Sequence, residues 1–360
     1  MTENDFIPGR YQGDATAGTV GWHSPSNIAL VKYWGKLPEQ IPANPSVSFT
    51  LDTCRTTTRM SFQRLEQETE DFDFDLYFEG ERKDRFTRKT HQFFQRCLPY
   101  LPFLRNYHLR IDTSNSFPHS SGIASSASGM SALALCLMDL EKSLNPGMDA
   151  DFFLRKASFL ARLGSGSACR SLEGPVVVWG RQDELEGSSD LYGIRYPEKI
   201  HEIFRSYRDT ILLVDRGEKK VSSSIGHELM KGHPYADSRF RQARGHIALL
   251  KEIFGSGDLD QFIRITESEA LSLHSMMMTG SRYFILMKPG TLSVIQKVLE
   301  FREATKVPLC FTLDAGANVH LLYPGNYSEG VQDFIQADLL QYCEEGGHIH
   351  DQVGLGAQRV

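Results

Sequence analysis

Pro118-His-Ser-Ser-Gly-Ile-Ala-Ser-Ser-Ala-Ser-Gly129 is the stretch that decides how this chain folds. It follows a β-type run at 107–112 and opens an apolar run at 130–144, which predicts a helix stopping at Asn145-Pro146-Gly147. Gly122 and Ala124 let the main chain approach a ligand closely. The first N–H groups of such a helix lack partners and lie at its positive dipole end, so an anion is favoured there. Ser120, Ser121, Ser125, Ser126 and Ser128 add hydroxyls for phosphate oxygens or a magnesium ion. The Gly-Lys-Ser/Thr ending of a Walker loop is missing. The same residues also fit a serine-rich loop with an ordinary helix cap, and spacing alone leaves both readings open.

On the N-terminal side, residues 1–21 are polar and Gly/Thr-rich and are expected to form an arm. Val47, Phe49 and Leu51 alternate with Ser48 and Thr50, which predicts a half-buried strand. Residues 56–62 and 72–78 also alternate, across an acidic loop at 66–71, and predict an antiparallel hairpin. A helix is expected over 81–97. On the other side, Asp151 is the expected N-cap of a helix reaching Leu163, and Val176–Trp179 reads as a short buried strand. An irregular connection at 181–209 contains the expected domain join. Then come a strand at 210–215, helices at about 236–254 and 258–278, and a strand near 283–288. A helix at 291–305, paired strands at 309–313 and 319–323, and a final helix over about 328–343 complete the pattern. Strands and helices mix without a βαβ repeat, which predicts an α+β fold. The expected division is an arm at 1–21, an N-terminal domain at 22–200 and a C-terminal domain at 201–360.

Composition narrows the function classes. With 360 residues, 41% hydrophobic and 23% charged, the chain reads as one large globular domain or two fused ones. No apolar run approaches the ~18 residues of a membrane span, and no basic-then-apolar leader opens the chain. A net charge of −6 argues against a general nucleic-acid binder but leaves room for a local basic pocket. Six scattered cysteines without a Cys-x-x-Cys pair predict neither a zinc site nor a disulfide framework, and fit a reducing cytoplasm.

Three further blocks carry chemistry. In Gly164-Ser-Gly-Ser-Ala-Cys-Arg-Ser171, Arg170 sits among small residues and could clamp a carboxylate or phosphate; a structural pairing with Glu173 is the alternative. Cys169 reads as a small buried hydrophobe. In Ser26-Asn-Ile-Ala-Leu-Val-Lys-Tyr-Trp-Gly-Lys36, Lys32 and Lys36 flank Tyr33 and could meet a polyphosphate, or could form a solvated strand edge. In Phe311-Thr-Leu-Asp-Ala-Gly-Ala-Asn318, Asp314 ends an apolar strand, as catalytic bases and turn caps both do. Asp71, Asp73 and Asp75 imitate an EF-hand, but Leu76 and Arg82 occupy its glycine and glutamate positions. His348, His350 and Asp351 are expected to be solvated, and His274 to be a packed helix histidine.

Together these blocks resemble the diphosphomevalonate decarboxylases of the GHMP kinase superfamily. The family's Asn-Ile-Ala-x-x-Lys-Tyr-Trp-Gly-Lys stands at 27–36, its Phe-Pro-x-x-x-Gly-x-Ala-Ser-Ser-Ala-Ser-Gly at 117–129, and its Gly-Ser-Gly-Ser-Ala-Cys-Arg-Ser at 164–171. Asp314-Ala-Gly-Ala-Asn318 and Val221-Ser-Ser-Ser-Ile-Gly226 are looser matches. The resemblance implies a two-domain GHMP kinase fold, with a ribosomal protein S5 domain 2-like N-terminal half, a ferredoxin-like C-terminal half and the active site in the cleft between them. It implies that MgATP phosphorylates the tertiary 3-hydroxyl of mevalonate 5-diphosphate, and that loss of phosphate and carbon dioxide yields isopentenyl diphosphate. Asp314 would be the base or orienter of that hydroxyl, Arg170 the carboxylate clamp and Lys32 a charge balance. Tyr33, Lys36, Ser165, Ser167, Ser222 and Ser223 would bind substrate. Ser120, Ser121, Gly122, Ala124, Ser125, Ser126 and Ser128 would bind ATP, with magnesium carried on the nucleotide near Ser126 and no separate metal site. A cytoplasmic homodimer is also implied, with no nucleic-acid or membrane partner.

The chain departs from the family in lacking Arg-Asp after Lys36, in Pro45, Ile225 and Ala317, and in Ser281-Arg282-Tyr283 where a Pro-Pro pair is usual. These changes touch substrate-facing segments and leave mevalonate 5-phosphate as an alternative substrate. A plain GHMP small-molecule kinase and a non-catalytic ligand sensor are the remaining alternatives.

Overall fold

Strands β1 (Ala17–Val31) and β2 (Ser46–Arg64) pair antiparallel, from Ala17 opposite Gln63 to Val31 opposite Val47. Their register slips between Pro25 and Asn27, beside a proline that has no N–H to give the ladder. The computed structural model describes residues 1–118, 123–217 and 223–360, with side chains from 225 onward in the last segment. The β2 residues Ser46–Leu51 are buried on both faces, so the half-buried strand expected from their alternation is instead enclosed. β6 (Val176–Trp179) pairs with that stretch, and aromatic residues from the C-terminal half cover it. Phe49 has its ring centroid 5.7 Å from that of Tyr207 and 6.0 Å from that of Phe262.

The expected hairpin does not form. β3 (Asp73–Phe78) is separated from β2 by β5 (Tyr107–Asn115), which runs antiparallel to β2 and parallel to β3. The 65–72 connection carries no tight-turn signal, so nothing local forces its flanking strands to pair. β4 (Glu81–Arg82) extends this edge, and β7 (Ile194–Arg195) pairs with β6.

Helices α1 (Asp84–Cys97), α2 (Ser125–Leu144) and α3 (Ala150–Gly164) pack with this sheet. α2 is apolar nearly all round and lies buried through the middle of the layer. The N-cap of α3 is Asp149, not Asp151: its carboxylate accepts the Phe152 N–H at 3.0 Å. The segment expected as an arm is packed down, and β1 already begins inside it at Ala17. Phe6 is fully buried and stacks on Phe159 at 4.4 Å, while Glu3 pairs with Arg162.

The C-terminal half runs through α4 (Glu202–Arg205), β8 (Arg208–Leu212), α5 (Ser223–Glu228), α6 (Ala236–Ser256), α7 (Leu259–Thr279), α8 (Pro289–Thr305), β9 (Cys310–Thr312), β10 (Val319–Tyr323) and α9 (Ser328–Phe334). No strand forms near 283–288; Tyr283 and Ile285 are exposed there without a pairing edge. The expected final helix changes to a π-turn at Ile335–Leu339 and a 3-10 turn at Leu340–Tyr342.

The tail is structural. β11 (His348–Gln352) completes an antiparallel sheet of order β11-β8-β10-β9, and β12 (Gln358–Arg359) pairs with β1 at Trp22 and His23. Asp351, expected to be solvated, is buried: its carboxylate accepts the N–H groups of Asp52, Thr53 and Cys54 at 2.9, 2.8 and 2.6 Å. Those donors lie where β2 turns from one pairing to the next, and the buried Cys54 N–H would otherwise be orphaned.

Candidate active site

Four elements converge on one cavity of about 350 Å³. The chain leaving β1 supplies Lys32, Tyr33 and Lys36; the turn after α3 supplies Ser165, Ser167 and Arg170. The start of α2 supplies Ala124 and Ser126, and the turn between β9 and β10 supplies Asp314. These sequence-predicted residues therefore meet, although they are drawn from both halves of the chain.

Lys32 is buried and its Nζ lies 3.2 Å from the Oδ1 of Asp314. Burial pushes the ammonium pKa down, while the carboxylates of Asp314 and Glu269 oppose that shift and Arg170 adds to it. The Lys32 peptide is tied on both sides: its N–H donates to Glu269 at 2.8 Å, and its carbonyl accepts from Asn44 at 2.9 Å. His274 Nε2 meets the Asp314 carbonyl at 3.1 Å. Burial holds His274 down to about 4, so the ring is neutral near pH 7 and packed as expected.

Arg170 is a second buried cation in the same cavity as Lys32. It is buried, and Nη2 donates to the Asn27 Oδ1 at 3.3 Å. Among the described residues its Nε and Nη1 have no partner, and neither has the nearby Tyr33 hydroxyl. Glu173 is not its partner; that carboxylate accepts the Arg195 N–H at 3.2 Å. Buried unpaired donors cost about 1–3 kcal/mol each, so three of them lining one cavity point to an anion with several acceptor oxygens. The glycines of the Arg170 block make room for this: a Cβ on Gly166 would stand 2.9 Å from the Tyr33 hydroxyl. Cys169 is a buried thiol pushed up to about 12 by burial, which fits packing.

Lys36 is lowered by burial first and then by Arg96 and Lys231, with Glu228 opposing. His227, whose Nδ1 accepts the Gly35 N–H at 3.0 Å, is held down to about 3 by burial, Lys36 and Arg170. Among the described residues, neither Lys36, Lys89 nor Arg96 has a carboxylate within ion-pair distance, so this cavity wall is positive in an acidic chain. A smaller, mainly apolar cavity of about 90 Å³ adjoins it beneath Ser125 and Ser126, with Leu76, Phe78, Phe86 and Ile111 in its wall. Together they suit a polyanion carrying a planar apolar group. Hydroxyl and carboxylate oxygens also fit a hard cation such as magnesium, although no preformed cluster of His, Cys, Asp or Glu ligands exists among the described residues.

Ser128 does not line the cavity. Its hydroxyl is buried under α2 and shared with Thr56 at 2.6 Å, because the first helical turn rotates it toward β2. Ser120, Ser121, Gly122 and Ser222 lie outside the described residues, as does the Ser223 side chain. Sequence reasoning missed Lys89, Gln92, Arg96 and His227 in the wall, and Asn27 behind Arg170. A polar stripe at 89, 92 and 96 on α1 was an available signal; nothing marked His227.

Residues 24–191 match the family model for the diphosphomevalonate decarboxylase-like N-terminal domain, and residues 210–352 match that for the mevalonate 5-diphosphate decarboxylase C-terminal domain. The diphosphomevalonate decarboxylase of Gibberella zeae is 30% identical over 317 residues, covering 83% of this chain and 79% of that protein. The chain belongs to the diphosphomevalonate decarboxylase family. Among solved members, mevalonate diphosphate decarboxylase from Staphylococcus aureus superposes with a TM-score of 0.81 at 25% identity, over 96% of this chain and 98% of that one. A family structure described as in complex with MVAPP, AMPPCP and magnesium gives a TM-score of 0.80 at 25% identity, over 96% and 99%. The α+β architecture of this chain is thus the two-domain GHMP-type fold of the family.

Proposed function

We infer that this protein is the ATP-dependent decarboxylase of mevalonate 5-diphosphate, forming isopentenyl diphosphate in the mevalonate route to isoprenoids. The observation that carries the reading is the buried Arg170 guanidinium, with two donors unpaired among the described residues, sharing a cavity with the Lys32–Asp314 pair. A kinase need not grip a carboxylate; a decarboxylase must hold one.

MgATP supplies the phosphoryl group that turns a poor leaving group into a good one. Asp314 takes or orients the proton of the tertiary hydroxyl as its oxygen bonds to phosphorus, and Lys32 balances charge beside it. Arg170 holds the substrate carboxylate, with Ser165 and Ser167 fixing adjacent oxygens. When the C3–O bond breaks, phosphate leaves; the C1–C2 electron pair becomes the C2–C3 double bond, and carbon dioxide departs. Tyr33 and Lys36, with Ser222 and Ser223, meet the substrate diphosphate. The Ser120–Ser128 loop, without the Ser128 hydroxyl, cradles the nucleotide phosphates with magnesium near Ser126.

The domain division is proposed at 22–200 and 201–360. A reducing, cytoplasmic setting is supported by six free, buried cysteines, and a homodimer by the family resemblance alone. No helix among the described residues is long and apolar enough to cross a membrane. Incubating protein with MgATP and mevalonate 5-diphosphate or 5-phosphate, and following ADP and carbon dioxide, tests the function. ADP without carbon dioxide makes it a kinase; neither product makes it a sensor; preference between substrates sets the phosphate number.

A further inference from the structure

Helix α7 touches both members of the Lys32–Asp314 pair through their main chains. Glu269 accepts the Lys32 N–H at 2.8 Å, and five residues later His274 meets the Asp314 carbonyl at 3.1 Å. At ~1.5 Å of rise per residue these anchors stand ~7.5 Å apart along one rigid helix. Neither residue lines the cavity, so neither is placed to touch substrate.

The Glu269 anchor is elaborate for a strand end. A buried carboxylate is costly unless its oxygens are fully bonded. Glu269 is wholly buried and accepts from Arg239 and from His246 Nδ1 at 2.6 Å, besides the Lys32 N–H. Arg239 also reaches the Lys32 carbonyl at 3.5 Å, the same oxygen that Asn44 holds. The pairing of β1 with β2 ends at Val31, so without these contacts the Lys32 peptide would have no fixed position. On the other side, Asp314 lies on a turn where its carbonyl also accepts the Gly316 N–H at 2.8 Å, and His274 ties that turn to α7.

We propose that Glu269 and His274 are positioning residues, α7 acting as a spacer that sets the separation of the Lys32 ammonium and the Asp314 carboxylate. The proposal rests on the functional reading above. A misplacement of ~1 Å at reacting groups can cost ~100-fold in rate, so a device that holds the pair by its backbone acts on kcat rather than on substrate affinity.

The test compares His274→Phe, which keeps ring volume without an N–H, with His274→Gln, which keeps a donor. Given an active wild type, His274→Phe lowers kcat about 10–100-fold with KM for both substrates within about threefold, and His274→Gln recovers most of the loss. His274→Met replaces the phenylalanine variant if that one does not fold. Glu269→Gln, which leaves Arg239 and His246 without their carboxylate, gives the same fall in kcat with KM held. A rise in KM matching the loss, a glutamine variant no better than phenylalanine, or unmoved kinetics would overturn the proposal alone. A wild type inert toward both mevalonate phosphates would overturn it together with the functional reading.

Discussion

Lys32 Nζ and Asp314 Oδ1 stand 3.2 Å apart, one from the end of the first strand and the other from a turn near the far end of the chain. The lysine is buried and the aspartate is partly open to the cavity, so the pair is electrostatically strong and still reachable. Asp314→Asn is therefore expected to keep the turn and lose the base. Turnover should fall at least ~1,000-fold while nucleotide affinity stays within a few-fold, read by ADP release and by equilibrium binding of an ATP analogue. Near-normal activity in this variant would sink the assigned role.

Arg170→Lys tests the other wall. A lysine keeps the charge but not the planar fork, so kcat/KM is expected to fall about 100-fold, and carbon dioxide release should fall further than ADP formation. Asn27→Leu should produce a milder version of the same defect, because Asn27 holds only Nη2. Equal loss of both products from Arg170→Lys would argue against a carboxylate clamp.

Stability should fall in mild acid because two buried histidines stay neutral. His274 is held at about 4 and His227 at about 3, both below the ordinary 6.5. Between about pH 6.5 and 4 the unfolded chain binds protons that the folded chain refuses, so stability rises with pH there. Each histidine contributes up to ~1.4 kcal/mol per pH unit. Urea melts at pH 7, 6 and 5 measure the slope, which His274→Gln should flatten by roughly one proton's share. An unchanged slope in that variant would contradict the assignment.

Asp351→Ala leaves three N–H donors of β2 without their acceptor, that of Cys54 buried and those of Asp52 and Thr53 part-buried. A loss of about 1–3 kcal/mol is expected, seen as a lower urea midpoint, with Asp351→Asn intermediate because one amide oxygen can still accept.

Much of the site was legible because its chemistry is local. Gly164–Arg170 and Lys32–Lys36 are short runs whose residue types point to anion binding, and one cavity brings them together. The partners of those runs were not legible, because they come from distant helices: Glu269 reaches Lys32 across 237 positions. Strand type followed alternation, but pairing did not, since nothing in 56–62 or 72–78 reveals that β5 will enter between them. Asp351 misled for a related reason. A carboxylate just after two histidines, His348 and His350, reads as solvated until β2 supplies three donors from some 300 positions away.

The pairing of β12 with β1 also bears on how the protein is made. Trp22 and His23 leave the ribosome long before their outer partners, residues 358 and 359. Until those are synthesised, one edge of the N-terminal sheet carries unpaired main-chain groups, open to other nascent chains. The N-terminal half therefore waits for some 335 further residues to be synthesised before that edge is covered, which makes the interval of synthesis itself its most aggregation-prone state.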